Sequence, residues 1–341
     1  MRQSLTLGLI VAAIFLGITR GHAQVESSLI KLDPALDDIV SANTKVEKLA
    51  DGFHYVEGPV WVRQGGYLLF SDIPANVIDR WTPNGKVSVF LEPSGFTGKD
   101  ASGVGMELTV GSAVVTLIGS NGITLDRQGR VVYCAHGDRA IIRLEKDNKR
   151  TVLADRFEGK RLNSPNDLVY KSNGTLYFTD PPAGLRGNNE SPQKELPFHG
   201  VYLLKAQKLQ LLDKDFTRPN GLALSPDEKY LYVADSTKRL IMRFEVKPDD
   251  TIANGQVFID MTPDKAPGNP DGMKVDKDGN VYSSGPGGVW IISPGGKHLG
   301  TIVAPESPTN LAFGDADGKT LYLTARTGLY RIRLNKRGVQ P

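Results

Sequence analysis

Six short segments of the 341-residue chain open on a side chain carrying oxygen and run on into an apolar stretch. They are Glu57-Gly-Pro-Val-Trp, Asn121-Gly-Ile-Thr-Leu, Asn166-Asp-Leu-Val-Tyr, Asn220-Gly-Leu-Ala-Leu, Asp271-Gly-Met-Lys-Val and Thr309-Asn-Leu-Ala-Phe. Two carboxylates, three amides and a hydroxyl recur in one slot. A set of oxygen donors brought together suits a hard cation, which takes 6–8 oxygen ligands in the case of calcium. Any single Asn-Gly or Asp-Gly is an ordinary turn former. Glu57 is a poor turn residue, and the recurrence of the slot, with Gly after four of its six members, points to a shared structural position.

The elements that position this slot also repeat. In each copy a second strand closes 14 to 16 residues after the slot residue: Leu68–Asp72, Val131–Ala135, Leu176–Asp180, Leu231–Asp235, Val281–Gly285 and Leu321–Ala325. Their β-branched and aromatic content fits a half-buried pleated surface. Turn signals such as Asn84-Gly85, Asn173-Gly174 and Asp278-Gly279 lie before or between strands. Further strand-like runs follow each pair, for example Val77–Trp81 and Val87–Leu91. Four antiparallel strands repeated six times, with second strands starting 40 to 63 residues apart, define an all-β, six-bladed β-propeller.

The last repeat stops after its third strand, Leu329–Arg333. The run Lys45–Leu49 resembles an outer strand, so an N-terminal strand is expected to close the last blade and remove an exposed edge. The first strand of a blade lines the central channel, which places the six slot residues in a ring about the axis. The second strands return to the same face. Asp72, His136, Asp180 and Asp235 are therefore expected around the same opening, the Asp residues capping turns by accepting backbone hydrogen bonds. For His136 a turn-stabilising role and a proton shuttle are both open. Two long connections, Pro93–Ser120 and Pro181–His199, are expected as walls or a lid on that face, the second carrying Arg186, Lys194 and His199.

Composition narrows the classes. Arg2, the apolar run Leu5–Gly17 and Gly21-His22-Ala23 read as a secretory signal at residues 1–23, giving a periplasmic or secreted protein. A lead-in over 24–44 and the propeller over 45–341 follow. The apolar run is shorter than the ~20 residues that span a bilayer, and no later stretch could span one, so no membrane partner is expected after signal removal. Lys and Arg total 41 against 38 Asp and Glu, net +3, and loss of Arg2 and Arg20 leaves +1. There is no basic block to grip a phosphate backbone, which argues against nucleic acid. The single Cys134 excludes an intramolecular disulfide and a thiolate metal cluster. No Gly-x-Ser-x-Gly, His-Glu-x-x-His, Walker or Gly-x-Gly-x-x-Gly motif occurs. Nothing in the sequence sets the oligomeric state.

The segments Glu57-Gly-Pro-Val-Trp, Arg161-Leu-Asn-Ser-Pro-Asn-Asp-Leu, Phe178-Thr-Asp-Pro-Pro, Arg218-Pro-Asn-Gly-Leu-Ala-Leu-Ser-Pro-Asp and Asn269-Pro-Asp-Gly-Met together resemble the gluconolactonase/regucalcin family, from about Lys45 to Arg333. The resemblance implies a six-bladed propeller that holds one divalent cation, usually calcium or zinc, and hydrolyses sugar lactones such as gluconolactone. It implies Glu57, Asn220 and Asp271 as metal ligands, with Asn166 as a further ligand or a substrate contact. Oxygen donors favour calcium or magnesium, while three ligands plus water also accept zinc or manganese. A lactone carbonyl polarised by the cation needs an activated water, and Asp271 is the expected base. Asn121, Arg161 and His136 are expected to contact a small-molecule substrate. The alternatives are an organophosphate or aryl-ester hydrolase on the same metal site and a non-enzymatic calcium-binding or scaffold propeller.

Overall fold

A computed structural model describes residues 29–341, so the expected signal segment 1–23 and the start of the lead-in lie outside the described residues. Six four-stranded antiparallel sheets follow one another along the chain as blades. Their innermost strands begin within two residues of the slot residues: Val56–Val62, Ser120–Leu125, Leu168–Tyr170, Pro219–Leu224, Met273–Val275 and Asn310–Gly314. The second strands, Tyr67–Asp72, Val131–Ala135, Leu176–Asp180, Tyr230–Asp235, Val281–Gly285 and Thr320–Ala325, match the sequence expectation to within a residue.

Ring closure is as expected, with the closing strand two residues further along than Lys45–Leu49. Glu47–Asp51 pairs antiparallel with Gly328–Arg333, Glu47 facing Arg331 and Asp51 facing Gly328. An ion pair between Arg331 and Glu47, at 2.8 Å, reinforces the junction. The lead-in contributes more than the sequence indicates. Leu29–Lys31 adds a fifth strand to the outer edge of the fifth blade. After it, Leu36 from the 3₁₀ turn Pro34–Asp38, with Ile39 and Val40, packs into the core between the fifth and sixth blades.

The apolar core is divided into six clusters, one at each junction between neighbouring blades. At the junction of the sixth and first blades, Trp61 stacks on Tyr322 with ring centroids 5.3 Å apart, and Trp81 lies 5.7 Å from the same ring. Such pairs add ~0.5–1.5 kcal/mol beyond their area burial. The blades are thus held by their neighbours, and the axis is left to polar groups.

The slot glycines are explained by those junctions and not by turns. Gly122, Gly221 and Gly272 each donate a backbone hydrogen bond to the slot carbonyl of the next blade, to Asn166, Asp271 and Thr309 at 2.8, 3.1 and 2.9 Å. A Cβ on Gly221 would lie 2.1 Å from the Asp271 carbonyl oxygen, and one on Gly58 2.1 Å from that of Asn121. A side chain there would drive adjacent blades apart at the axis.

The long connections form a roof. Pro93–Ser120 contains a hairpin, Glu107–Val110 with Ala113–Thr116. Gly105 and Met106 donate backbone hydrogen bonds to Gly184 and Ala183 of the second connection at 2.8 and 2.9 Å, and Arg186 pairs with Glu107. His199 binds the Thr217 carbonyl and the Asn189 side chain, each at 2.6 Å, fixing that connection to the fourth blade. At the opposite end of the channel the C-terminal tail lies across the inner strands, Val339 N–H to the Val275 carbonyl and Gln340 Nε2 to the Phe313 carbonyl, both at 2.9 Å.

Candidate active site

Beneath the roof lies a cavity of about 370 Å³ at one mouth of the axis. Glu57, Asn121, Asn166, Asn220, Asp271 and His136 all line it, so six of the seven site residues expected from sequence come together. Arg161 does not. It pairs with Arg156 in a short ribbon outside the blades, and its Nη2 donates to the Asp138 carbonyl at 2.7 Å, away from the cavity. The four residues between it and Asn166 include buried Leu162, Asn163 and Ser164, which carry the chain inward and leave Arg161 on the rim. Thr309, the sixth slot residue, also lies outside the cavity lining: its hydroxyl donates to the Val56 carbonyl at 2.7 Å, closing the last junction of the ring.

The Asp residues ending the second strands hold the approach to each slot. Asp72 accepts the backbone N–H groups of His54 and Tyr55 at 3.0 and 3.2 Å, ahead of Glu57. Asp180 accepts those of Asn163 and Ser164 at 2.8 and 2.7 Å, ahead of Asn166. Asp235 accepts those of Thr217 and Arg218 at 2.8 and 3.3 Å, ahead of Asn220. One device, used three times, fixes the backbone that presents each slot side chain.

Asn220 is oriented by a short relay. Ser236 Oγ donates to the Pro270 carbonyl at 2.7 Å, so it must accept from Asn220 Nδ2 at 3.0 Å. That assigns the amide nitrogen to Ser236 and leaves Asn220 Oδ1 as the free acceptor end. His136 Nδ1 lies 3.3 Å from the Pro165 carbonyl, which can only accept, so the proton is on Nδ1. The Ala183 carbonyl of the second connection also acts on the ring, while the buried Nε2 forms no hydrogen bond of full geometry. Burial pushes the His136 pKa down to about 4, which keeps the ring neutral.

The carboxylates supply the test for a cation. Burial raises Glu57 well above the ordinary carboxylate range, and the charge of Asp271 adds to that; burial likewise raises Asp271, against the pull of Arg218. Two buried like charges lining one cavity are what a bound divalent cation relieves. Among the described residues no cluster of three or more His, Cys, Asp or Glu forms a metal site. The donors that fit are instead two carboxylates and amide oxygens, a hard-cation set.

Several lining residues were not singled out by sequence. Tyr55, Asn269, Ser236, Thr237 and Arg218 join the polar wall, and Met106, Leu108 and Leu117 of the roof supply an apolar one. Arg218 sits inside the motif Arg218-Pro-Asn-Gly, but nothing in its spacing distinguishes it from a surface arginine. Of the second connection only Ala183 reaches the lining; Arg186 and Lys194 serve the connection itself, Lys194 Nζ binding the Leu196 carbonyl at 2.5 Å.

A floor closes the channel behind the cavity. The third and sixth blades lack the slot glycine and carry Asp167 and Asn310 in its place. Asn310 Nδ2 donates to Asp167 Oδ2 at 3.3 Å, and both residues are buried. Lys274 Nζ donates to the Met273 carbonyl at 2.9 Å and reaches Asn310 Oδ1 at 3.4 Å, and its charge draws Asp167 downward against the rise caused by burial.

Fold and site define a propeller with a cation-suited polar pocket at one closed-off mouth of its axis. The chain belongs to the SMP-30/gluconolactonase/LRE-like family, whose model matches residues 55–327. It is 38% identical over 315 residues to a gluconolactonase of Zymomonas mobilis, covering 89% of this chain and 85% of that one. The solved structure of a gluconolactonase of Xanthomonas campestris superimposes with a TM-score of 0.75 at 32% identity, over 90% of this chain and 94% of the other. A calcium-binding protein, regucalcin, of Agrobacterium tumefaciens shares the fold with a TM-score of 0.68 at 18% identity, over 87% and 96% of the two chains.

Proposed function

We propose that the protein is a metal-dependent lactonase that opens a sugar lactone such as gluconolactone to the hydroxy acid. The observation that carries this is the convergence of Glu57, Asp271, Asn220 and Asn166 on one roofed cavity, in a chain 38% identical to a gluconolactonase. Glu57, Asn220 Oδ1 and Asp271 would hold the cation, with Asn166 as a further ligand or a contact to substrate. When bound, a divalent cation, calcium by the hardness of these donors, polarises the lactone carbonyl and acidifies water.

The chain's own residues supply the rest. Asp271 takes the proton of the attacking water at its carboxylate, the ring C–O bond breaks, and the same proton passes from Asp271 to the leaving ring oxygen, giving a carboxylic acid and an alcohol and restoring the carboxylate. Asn121 and Asn166 orient substrate hydroxyls or the water. His136, neutral with its proton on Nδ1, accepts a hydrogen bond at Nε2 from a substrate hydroxyl and needs no proton transfer to do so. Met106, Leu108 and Leu117 limit water entry over the reacting carbonyl.

The deciding experiment is turnover of sugar lactones, simple aliphatic lactones, aryl esters and organophosphates by metal-stripped protein restored with single metals. Metal-dependent turnover led by sugar lactones is expected. Preference for organophosphates or aryl esters would place the chemistry in another hydrolase class, and no turnover with any metal would leave a binding propeller. We also propose export to the periplasm or medium with cleavage after Ala23, on the sequence pattern alone. Intact mass of the exported protein should begin at Gln24; retention of Met1 in a membrane fraction would overturn that.

A further inference from the structure

We propose that Arg218 makes this cavity a receptor for sugar lactones that carry an anionic carboxylate in addition to the lactone ring. The proposal rests on the lactonase reading and extends it to substrate class. Arg218 is the only Lys or Arg among the residues lining the cavity. It forms no ion pair among the described residues, and its guanidinium has one polar contact, Nη2 to the Met106 sulfur at 3.0 Å. A thioether is a weak acceptor, so that contact steers the guanidinium without using its donor capacity.

Position and charge both favour an anion. The backbone of Arg218 is fixed by Asp235, two residues before Asn220, while its side chain touches the roof. It therefore spans the height between the slot ring and the cover. A divalent cation held by Glu57 and Asp271 would balance their charge, leaving the guanidinium as the uncompensated charge of the cavity. Neutral His136 does not add to it. A planar guanidinium with free N–H groups matches a carboxylate in a two-bond geometry that Lys cannot reproduce. The Asn121, Asn166 and Asn269 amides beside it suit the hydroxyls of the same ligand.

The test uses metal-replete full-length enzyme with glucono-1,5-lactone and glucaro-1,4-lactone, which carries a free carboxylate, on wild type, Arg218→Gln and Arg218→Lys. Binding of the open-chain dicarboxylate glucarate is followed by calorimetry in parallel, with metal content measured for each protein. For Arg218→Gln, kcat/KM for the anionic lactone and affinity for glucarate should fall roughly 10–100-fold, chiefly through KM and Kd. That is the range of one charge-assisted hydrogen-bonded contact. The neutral lactone reports the effect common to both substrates, since Arg218 also draws on Asp271. The anionic lactone should lose roughly tenfold more than the neutral one, and Arg218→Lys should recover only part of that difference. An equal fall for both lactones, or unchanged glucarate affinity, would overturn the proposal. If wild type hydrolyses neither these two nor any other lactone with any metal, the lactonase reading fails separately, and glucarate binding alone decides the role of Arg218.

Discussion

Asp167 and Asn310 lie 143 residues apart in the chain, in the third and sixth blades, and share a hydrogen bond of 3.3 Å across the channel axis. Opposite blades of a six-membered ring meet only at the axis, so this bond is the floor on which the cavity rests. Each residue also accepts the next backbone N–H with its own side-chain oxygen, Leu168 for Asp167 and Leu311 for Asn310, at 2.8 Å in both cases. Glu57 does the same with Gly58 at 2.9 Å. The three side chains are thus rigidly presented, and the neighbouring Asn310 amide also draws the Glu57 carboxyl toward its ionised form.

Replacing Asn310 by Ala should therefore act at two levels. It leaves a buried carboxylate short of a donor, costing roughly 1–3 kcal/mol in urea unfolding. It also loosens Glu57, so metal affinity should fall at a temperature where the fold is intact. Wild-type stability and metal affinity in this variant would show that the floor is incidental.

Asp235 positions without reaching the reacting atoms. Beyond Thr217 and Arg218 it accepts the N–H groups of Thr237 and Lys238 at 3.1 and 3.0 Å. Asp235→Ala should lower stability by about 1–2 kcal/mol through part-buried backbone donors left unpaired. It should also raise KM and weaken metal binding together, because Arg218 and Asn220 both lose their anchor. Asp235→Asn keeps one oxygen acceptor and should show a smaller version of the same pattern; metal content and KM measured side by side decide it.

Glu57 and Asp271 should separate by phenotype. Glu57→Ala is expected to lose turnover mainly by losing metal. Asp271→Asn keeps an oxygen ligand and removes the proton acceptor, so it should bind metal yet lose ~10²–10⁴-fold in kcat. A metal-replete Asp271→Asn enzyme within a few-fold of wild type would shift the base elsewhere. Neutral His136 is the next group to test.

Far from the cavity, Asp250 ties the third and fourth blades at their rim. Its buried carboxylate accepts from Lys171, Lys205, Asn173 and Thr175 at 2.5, 2.7, 2.9 and 2.8 Å. Burial would raise its pKa, but these hydrogen bonds override burial and hold it well below the ordinary value. A depressed folded-state pKa means stability that is complete above about pH 4, the unfolded value, and lost as pH falls toward the folded one. Asp250→Asn should therefore be markedly less stable than wild type at pH 7, with the gap closing below pH 4. A pH-independent gap would mean that packing, and not charge, is what the residue contributes.

How much of this is legible in the sequence depends on whether the signal repeats. The six blades, their second strands and the closing strand follow from a strand pattern that every blade must satisfy, so one weak motif is read six times. Glu57, Asn121, Asn166, Asn220 and Asp271 are found because they occupy the same slot of that repeat. The floor residues stand at the two slots where Gly is missing, and only the geometry of opposed blades makes that exception meaningful. Arg218, Ser236 and the roof residues fill positions that are not repeated. Arg161 misleads because closeness in sequence to Asn166 says nothing about which way the intervening buried turn carries it.

The pairing of Glu47 with Arg331 has a consequence for the order in which the molecule is made. Every proposed ligand has been synthesised once residue 271 is added, yet none is then in a finished site. The first blade still lacks its neighbour, Asn310 has not arrived to meet Asp167, and the last junction awaits Gly328–Arg333. Contacts this distant in sequence form late, because chain-closure entropy is met before they return any energy. A product ending before Asn310 would hold the complete set of donor side chains and no pocket to hold them in. The pocket belongs to the closed ring and is incomplete in any chain that lacks the sixth blade.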